Sequence, residues 1–153
     1  MQKATTADFS PFDASDWRVA IVVAQFNRDI TDQLHQTALA RANDYDLKPA
    51  NIDSFKVAGA IELPLVLQKL AASGDYQALV AIGCVIKGET PHFDYVCKFV
   101  SEGVLRVQLD QKVPIAFGIL TCNNESEAQA RAQLGGDYLD AVMHQAKVLG
   151  QIK

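Results

Sequence analysis

Short apolar runs rich in β-branched residues alternate along this chain with longer stretches in which apolar residues recur at helical spacing. Residues 18–24 (RVAIVVA) are interpreted as a buried first strand, and residues 78–84 (ALVAIGC) are continuously apolar, which is typical of a strand covered on both faces. Residues 51–57 form a weaker run, and residues 113–120 (VPIAFGIL) form the last one. Strands that alternate with helices build a parallel sheet joined by crossover helices. The sequence therefore predicts an α/β fold, a three-layer α/β/α sandwich around a four-stranded, mainly parallel sheet.

Capping and chain-breaking residues indicate where the intervening helices begin and end. They are Thr31, Pro64, Ser73-Gly74, Thr90-Pro91, Asn124 with Glu127, and Gly135-Gly136 ahead of Asp137. Thr31 is expected to cap the first helix, and Thr90 and Pro91 to open the longest one. Gly135-Gly136 is expected to break the chain before a C-terminal helix that begins at Asp137. About five helices are therefore expected.

Composition excludes several classes of function. The 153 residues, 49% of them hydrophobic, are enough for one domain, which we expect over residues 17–153 with a polar N-terminal arm at 1–16. A net charge of -4 offers no basic surface, so nucleic acid is not an expected partner. No segment has the pattern of a membrane span or signal peptide. Three cysteines without CxxC spacing suit a reducing compartment, and the cytoplasm is the expected location.

The histidines and cysteines do not form a metal-binding pattern. No two histidines have the spacing of zinc ligands, so no metal site is expected. His35 and His144 fall on predicted outer helix faces and are expected to be solvated. Cys84 and Cys97 are interpreted as small core residues, because neither has an evident base partner.

The junctions between strands and helices are where a ligand is expected, because parallel sheets bind ligands beyond the carboxyl ends of their strands. Residues 83–92 (GCVIKGETPH) form the richest of these junctions. The glycine backbone and the helix start present free N–H groups and a partial positive charge, which suit a phosphate. Gly88 and the Thr90 hydroxyl could complete the cradle. The sequence therefore predicts a site for a small phosphorylated substrate.

Four side chains near these junctions have both a functional and a structural interpretation. His92 lies in the first turn of a helix, whose dipole favours a neutral imidazole that can act as a base; it could equally be an ordinary surface histidine. Arg131 could clamp a phosphate or complement the end of its helix. Glu62 could contact a ligand or cap its own helix, and Phe26 could be an exposed platform or part of the core. The residues alone leave these alternatives open.

Four segments in this order resemble the lumazine synthase family. They are residues 21–31 (IVVAQFNRDIT), 57–64 (VAGAIELP), 83–97 (GCVIKGETPHFDYVC) and 117–121 (FGILT), and the resemblance extends from about Trp17 to Arg131. It implies a flavodoxin-like sheet and the penultimate step of riboflavin biosynthesis. In that step 5-amino-6-(D-ribitylamino)uracil condenses with 3,4-dihydroxy-2-butanone 4-phosphate to give 6,7-dimethyl-8-ribityllumazine. The implied enzyme is a transferase that needs no cofactor.

The resemblance implies a role for each matching position. Phe26 would stack on the pyrimidine, and Asn27 and Glu62 would meet the ribityl chain. Residues implied to line the same pocket or bind the pyrimidine edge through their backbone are Ala60, Ile61, Cys84, Val85 and Ile86. Residues implied to act on the phosphate or the proton are Gly88, Glu89 and Thr90 as a cradle, Arg131 as a clamp and His92 as the proton-transfer base.

The resemblance also implies an assembly. The expected unit is a homopentamer with its sites between subunits, where Phe117 would reach into the site of a neighbour. Pentamers of this family associate further into decamers or icosahedral 60-mers, and riboflavin synthase is a candidate partner. Ala58 stands where the family usually has proline, and Ile61 where an aromatic is frequent. No lysine occurs between Lys112 and Lys147, where the family usually has one near the phosphate.

Three other functions remain open on the sequence. The first is a catalytically weak paralogue that binds lumazine or flavin without making it; retention of His92 and Arg131 favours the enzyme. The second is a flavodoxin-like FMN module, disfavoured because residues 25–29 lack a hydroxyl-rich loop. The third is a shell-forming structural role, which could coexist with catalysis.

Overall fold

Four parallel strands form the central sheet of the computed structural model, which describes residues 7–153. The strands are β1 (Val19–Ala24), β2 (Ile52–Val57), β3 (Ala78–Ile86) and β4 (Ile115–Cys122). They are ordered β2-β1-β3-β4, and every neighbouring pair is parallel. The weaker run of the sequence forms β2, an edge strand with several exposed residues. The predicted flavodoxin-like parallel sheet is confirmed.

Five α-helices cover the sheet. They are α1 (Arg28–Ala42), α2 (Leu63–Ala72), α3 (His92–Gln111), α4 (Glu125–Ala130) and α5 (Gly135–Gln151). Two buried clusters lie on opposite faces of the sheet, one against α1 and α5 and the other against α2 and α3. Val19, Ile21 and Val23 of β1 belong to the first cluster, whereas Ala20 and Val22 belong to the second. Successive strand residues face opposite ways, so both faces of β1 need apolar side chains.

The start of α1 differs from the prediction. The helix begins at Arg28, and its N-cap is Asn27 in the left-handed conformation (φ 60°). Thr31 is a fully buried residue inside the first turn rather than the cap. Asn27 is held by a hydrogen bond from its Nδ2 to the carbonyl oxygen of Cys84, 2.8 Å away on β3. This long-range bond sets the boundary, and local capping preference could not reveal it.

The prediction that Gly135 and Gly136 break the chain is wrong. The two glycines form the first turn of α5. A Cβ at Gly135 would overlap the carbonyl oxygen of Leu34 on α1, and one at Gly136 would lie 3.2 Å from Arg41 Nη2. The two glycines therefore allow α1 and α5 to approach closely. Asn124 behaves as predicted, since its Oδ1 accepts the backbone N–H of Glu127 at 2.9 Å and caps α4.

Residues 7–17 pack against α5, which makes the prediction for His144 wrong. The backbone N–H of Ala14 donates to the carbonyl of Tyr45 at 2.8 Å, and the Phe12 ring lies 5.1 Å from Tyr45 and 5.3 Å from His144. His144 is half-buried under these rings, and its buried Nε2 has no hydrogen-bond partner among residues 7–153. Residues 1–6 of the predicted arm lie outside the described residues. No helix within 7–153 is long and apolar enough to cross a membrane.

His35, the other histidine predicted to be solvated, is half-buried at the outer side of α1. Its Nε2 lies 2.9 Å from the hydroxyl of Ser54 on β2. Burial, together with the positive charge of Lys56, lowers the pKa of His35. The ring therefore serves as a contact between α1 and the edge strand.

Candidate active site

The loops that follow the four strands meet at one edge of the sheet, because parallel strands all end there. The backbone N–H of Phe26, after β1, donates to the carbonyl of Ala58, after β2, at 2.9 Å. The N–H of Lys87, after β3, donates to the carbonyl of Cys122 at the end of β4, also at 2.9 Å. The Asn27 amide connects the first of these pairs to β3. The predicted junctions therefore form one continuous surface.

Phe26 projects from this surface. Its side chain is 66% exposed, so the alternative that it belongs to the core is wrong. The ring lies against Gly59, where a Cβ would be only 2.6 Å from Phe26 Cδ2. An exposed aromatic ring is available for stacking on a flat ligand.

The residues after β2 form a short 3₁₀-helix, Ala60–Glu62. Ala60 is buried, whereas Ile61 and Glu62 are exposed. Glu62 Oε2 accepts the backbone N–H of Gly59 at 3.0 Å, which is the capping role weighed on the sequence. The other carboxylate oxygen, Oε1, makes no hydrogen bond with residues 7–153 and can accept hydroxyl protons from a ligand.

The end of β3 and the start of α3 carry the predicted phosphate cradle. Cys84 is buried, Val85 and Ile86 are half-buried, and residues 87–92 are all exposed. Burial raises the pKa of the Cys84 thiol to about 12, so this cysteine stays protonated, as a core residue does. A Cβ at Gly88 would meet no atom within 4 Å, so the space above this loop is open.

α3 begins at His92, one residue later than predicted, with Pro91 rather than Thr90 at the cap position. Thr90 still contributes, since its Oγ1 accepts the N–H of His92 at 3.4 Å. The helix has 20 residues, and its N-terminus presents a partial positive charge beside residues 88–90. His92 is exposed at this edge and can exchange protons with a bound molecule.

Arg131 lies at the far side of the same edge, as the C-cap of α4. Its Nη1 donates to the carbonyl oxygen of Glu127 at 2.8 Å, and the side chain is half-buried. Burial raises the pKa of Cys122, the last residue of β4, and the Arg131 charge opposes this shift. α4 follows β4 along the chain and packs against β4 and β3, which keeps Arg131 on the side of the sheet where β4 ends. Arg131 therefore both completes its helix and supplies a positive charge at the carboxyl edge.

Phe117 is the one predicted site residue that the fold does not bring to this edge. It lies in the middle of β4, the outer strand of the sheet, and is 40% exposed. Five residues separate it from Cys122, which corresponds to roughly 16 Å along a strand. Gly59, in contrast, lies in the site although the sequence assigned it no role; its place within VAGAIELP was the available signal.

Comparison with known proteins agrees with the resemblance found in the sequence. Residues 16–150 match the family described as 6,7-dimethyl-8-ribityllumazine synthase. A protein of that name from Coxiella burnetii is 42% identical over 144 residues, which cover 91% of this chain and 95% of the relative. One from Corynebacterium glutamicum is 42% identical over 148 residues, covering 92% and 90% of the two chains. One from Desulfovibrio desulfuricans is 45% identical over 120 residues, covering 78% and 77%. This chain belongs to the 6,7-dimethyl-8-ribityllumazine synthase family.

Proposed function

We propose that the protein condenses 5-amino-6-(D-ribitylamino)uracil with 3,4-dihydroxy-2-butanone 4-phosphate, giving 6,7-dimethyl-8-ribityllumazine, inorganic phosphate and water. The observation that carries this proposal is the meeting of an exposed aromatic ring, Phe26, and a helix N-terminus at His92 on one edge of the sheet. The aromatic ring suits a flat pyrimidine, and the helix N-terminus suits a phosphate ester. The uracil amine forms an imine with the ketone, phosphate leaves by elimination, and ring closure completes the product.

The pyrimidine half of the site is assigned to the loops after β1, β2 and β3. Phe26 stacks on the ring, and the backbone of Cys84, Val85 and Ile86 binds its polar edge. The ribityl hydroxyls meet Asn27 and the free carboxylate oxygen of Glu62, beside the small apolar surface of Ala60 and Ile61. Because the Asn27 Nδ2 already donates to the Cys84 carbonyl, its Oδ1 is the atom available to a ribityl hydroxyl.

The phosphate half is assigned to residues 88–90 and Arg131. Gly88, Glu89 and Thr90 precede α3, so their backbone N–H groups and the helix dipole favour a dianion. Arg131 is the only lysine or arginine between Lys112 and Lys147. It therefore carries the charge neutralisation that the family usually shares with a nearby lysine. Its planar guanidinium can hold two phosphate oxygens at once.

His92 is assigned as the proton-transfer base. It is the first residue of α3, next to the phosphate cradle, and its exposed ring can reach the substrate carbons that lose protons during elimination. Positioned proton transfer contributes about 10²- to 10⁴-fold to a rate. Holding two substrates together supplies a further entropic advantage without any cofactor.

We further propose a homopentamer with its sites between subunits. A groove of about 280 Å³ separates α2 and α3, and its rim exposes Leu65 and Phe99. Tyr95, Leu105 and Leu109 add exposed apolar surface along α3. Patches of this extent favour burial against another subunit. Phe117, which is far from its own site, would then complete a neighbour's pocket. Native mass spectrometry should show five copies of the 16.7 kDa chain, or decamers or 60-mers built from them.

Residues 17–153 are proposed to be the catalytic domain and residues 1–16 an arm attached to it. The three free cysteines suit the reducing cytoplasm, which is the proposed location. Riboflavin synthase remains a candidate partner because it would use the product.

The decisive experiment compares product fluorescence from purified protein and both substrates with the spontaneous background rate. Wild-type protein should accelerate product formation clearly, and His92→Ala should lower kcat by about 10²-fold if the ring transfers a proton. His35→Ala is the matched control and should leave kcat unchanged. Arg131→Ala should raise the KM of the phosphate substrate, and Arg131→Lys should restore it only partly, because a single ammonium replaces a two-pronged contact.

A wild-type rate equal to the background would contradict the synthase proposal. Tight binding of product or flavin in that same protein would identify a lumazine- or flavin-binding paralogue.

A further inference from the structure

A side chain at residue 59 would collide with the Phe26 ring in its present position. A methyl group at residue 59 would lie 2.6 Å from Cδ2 and 2.9 Å from Cε2 of the ring, closer than non-bonded carbons approach. Gly59 itself has φ -147°, an extended conformation open to any residue. Glycine at this position therefore leaves space for the ring, and backbone freedom is not the reason for it.

Hydrogen bonds on both sides keep the ring and its support in fixed relation. The N–H of Phe26 donates to the carbonyl of Ala58, the residue before Gly59, at 2.9 Å. The N–H of Gly59 donates to Glu62 Oε2 at 3.0 Å. Asn27, immediately after Phe26, is anchored to Cys84 on β3. These hydrogen bonds to the loop after β2 and to β3 thus fix the backbone that carries the ring.

The Phe26 ring can move aside in one direction, toward solvent. It is 66% exposed, so a methyl group at residue 59 would push it outward into solvent rather than into the core. Such a displacement costs little folding stability, because no buried atom is compressed. It would, however, move the ring away from the position in which it is proposed to stack on the pyrimidine.

We propose that Gly59 is a positioning residue that sets where the Phe26 ring stacks on the pyrimidine, because the missing side chain allows the ring to lie directly against its backbone. The inference rests on the proposed function, in which Phe26 is the stacking platform for the pyrimidine. Gly59 touches the platform and not the substrate, so its effect passes entirely through the position of the ring.

Steady-state kinetics of Gly59→Ala test this role. The KM for the pyrimidine substrate should rise about tenfold, the effect of losing one ring–base stack, while the KM for the phosphate substrate stays unchanged. The thermal unfolding midpoint should remain that of the wild type. Gly150→Ala, at a position where a Cβ meets no atom within 4 Å, is the matched control and should change neither KM.

A double-variant cycle separates the proposal from a general structural role. In a Phe26→Ala background, Gly59→Ala should have no further effect on the KM of the pyrimidine substrate, because the ring through which it acts is gone. An equal rise in both backgrounds would overturn the proposal, as would a wild-type KM in the single variant.

A crystal structure of Gly59→Ala tests the same inference without turnover. The proposal requires the Phe26 ring to move outward by about 1 Å or more, the distance that restores ordinary carbon–carbon contact. An unmoved ring would refute it even in an active enzyme. A protein that lacks turnover but shows the displaced ring would refute the synthase proposal and leave the role of Gly59 intact.

Discussion

Asp140 is an acidic residue of α5 that is only 4% exposed, and the structure predicts a large loss of stability when it is removed. Its Oδ1 accepts the hydroxyl of Tyr45 at 2.7 Å, and its Oδ2 pairs with the guanidinium of Arg41 on α1. Burial and the bond to Asp140 raise the pKa of Tyr45 well above its usual range. Asp140 therefore connects α5 to α1 through Arg41 and to the 3₁₀-turn after α1, Asn43–Tyr45, through Tyr45. We expect Asp140→Ala to weaken this contact directly.

The size of the loss follows from the environment of each partner. Tyr45 is fully buried, so its hydroxyl would be left without an acceptor at a cost of about 1–3 kcal/mol. Arg41 is 37% exposed and can regain water, so the lost ion pair contributes less than a buried pair would, about 1 kcal/mol. The free energy of unfolding should therefore fall by about 3 kcal/mol.

Urea unfolding measures this loss, and a fixed protein concentration keeps the proposed self-association the same for every variant. Tyr45→Phe supplies the control. In the double variant no orphaned hydroxyl remains, so its destabilisation should be smaller than the sum of the two single effects by about 1 kcal/mol or more. A loss below 1 kcal/mol for Asp140→Ala, or strict additivity in the double variant, would refute the reasoning.

Two further predictions concern the same layer of the fold. Gly135→Ala should lower the free energy of unfolding by about 1–3 kcal/mol, since the added Cβ meets the backbone of Leu34. Gly150→Ala, in the same helix, should not lower it, because its added Cβ meets no atom within 4 Å. Equal urea midpoints for the two variants would contradict this account. Burial raises the pKa of Tyr138 to about 12, so above pH 10 the unfolded chain loses this proton while the folded chain keeps it. Stability should therefore fall between pH 10 and 12 by at most about 1.4 kcal/mol per unit from this group, and Tyr138→Phe should show a shallower fall in urea titrations across that range.

Much of the fold was predictable because its signals are local. β1 is apolar at every position, and only a strand covered on both faces requires that. The Asn124 cap depends on Glu127, three residues away, and formed as expected. The meeting of the predicted junctions at one edge of the sheet could be foreseen, because parallel topology brings every strand end to the same edge.

Other features depended on residues distant in sequence. The start of α1 is set by Asn27 bonding to Cys84, 57 positions later, and no capping rule includes such a partner. Gly135 and Gly136 look like helix-breaking residues in the sequence, but they allow close packing of α5 against α1. His144 is half-buried because residues 7–17 fold over it, although its own helix pattern indicated an outer face.

The sequence by itself determined the class of fold, the alternation of strands and helices along the chain and, through four short segments, the family. Apolar periodicity and residue identity act over a few positions, so a linear reading captures them. Only the tertiary structure decided that Asn27 is anchored to β3, that a side chain at residue 59 would displace the Phe26 ring, and that Phe117 lies away from the carboxyl edge of the sheet. Those outcomes depend on contacts between distant segments, and space between atoms is not encoded in any local pattern.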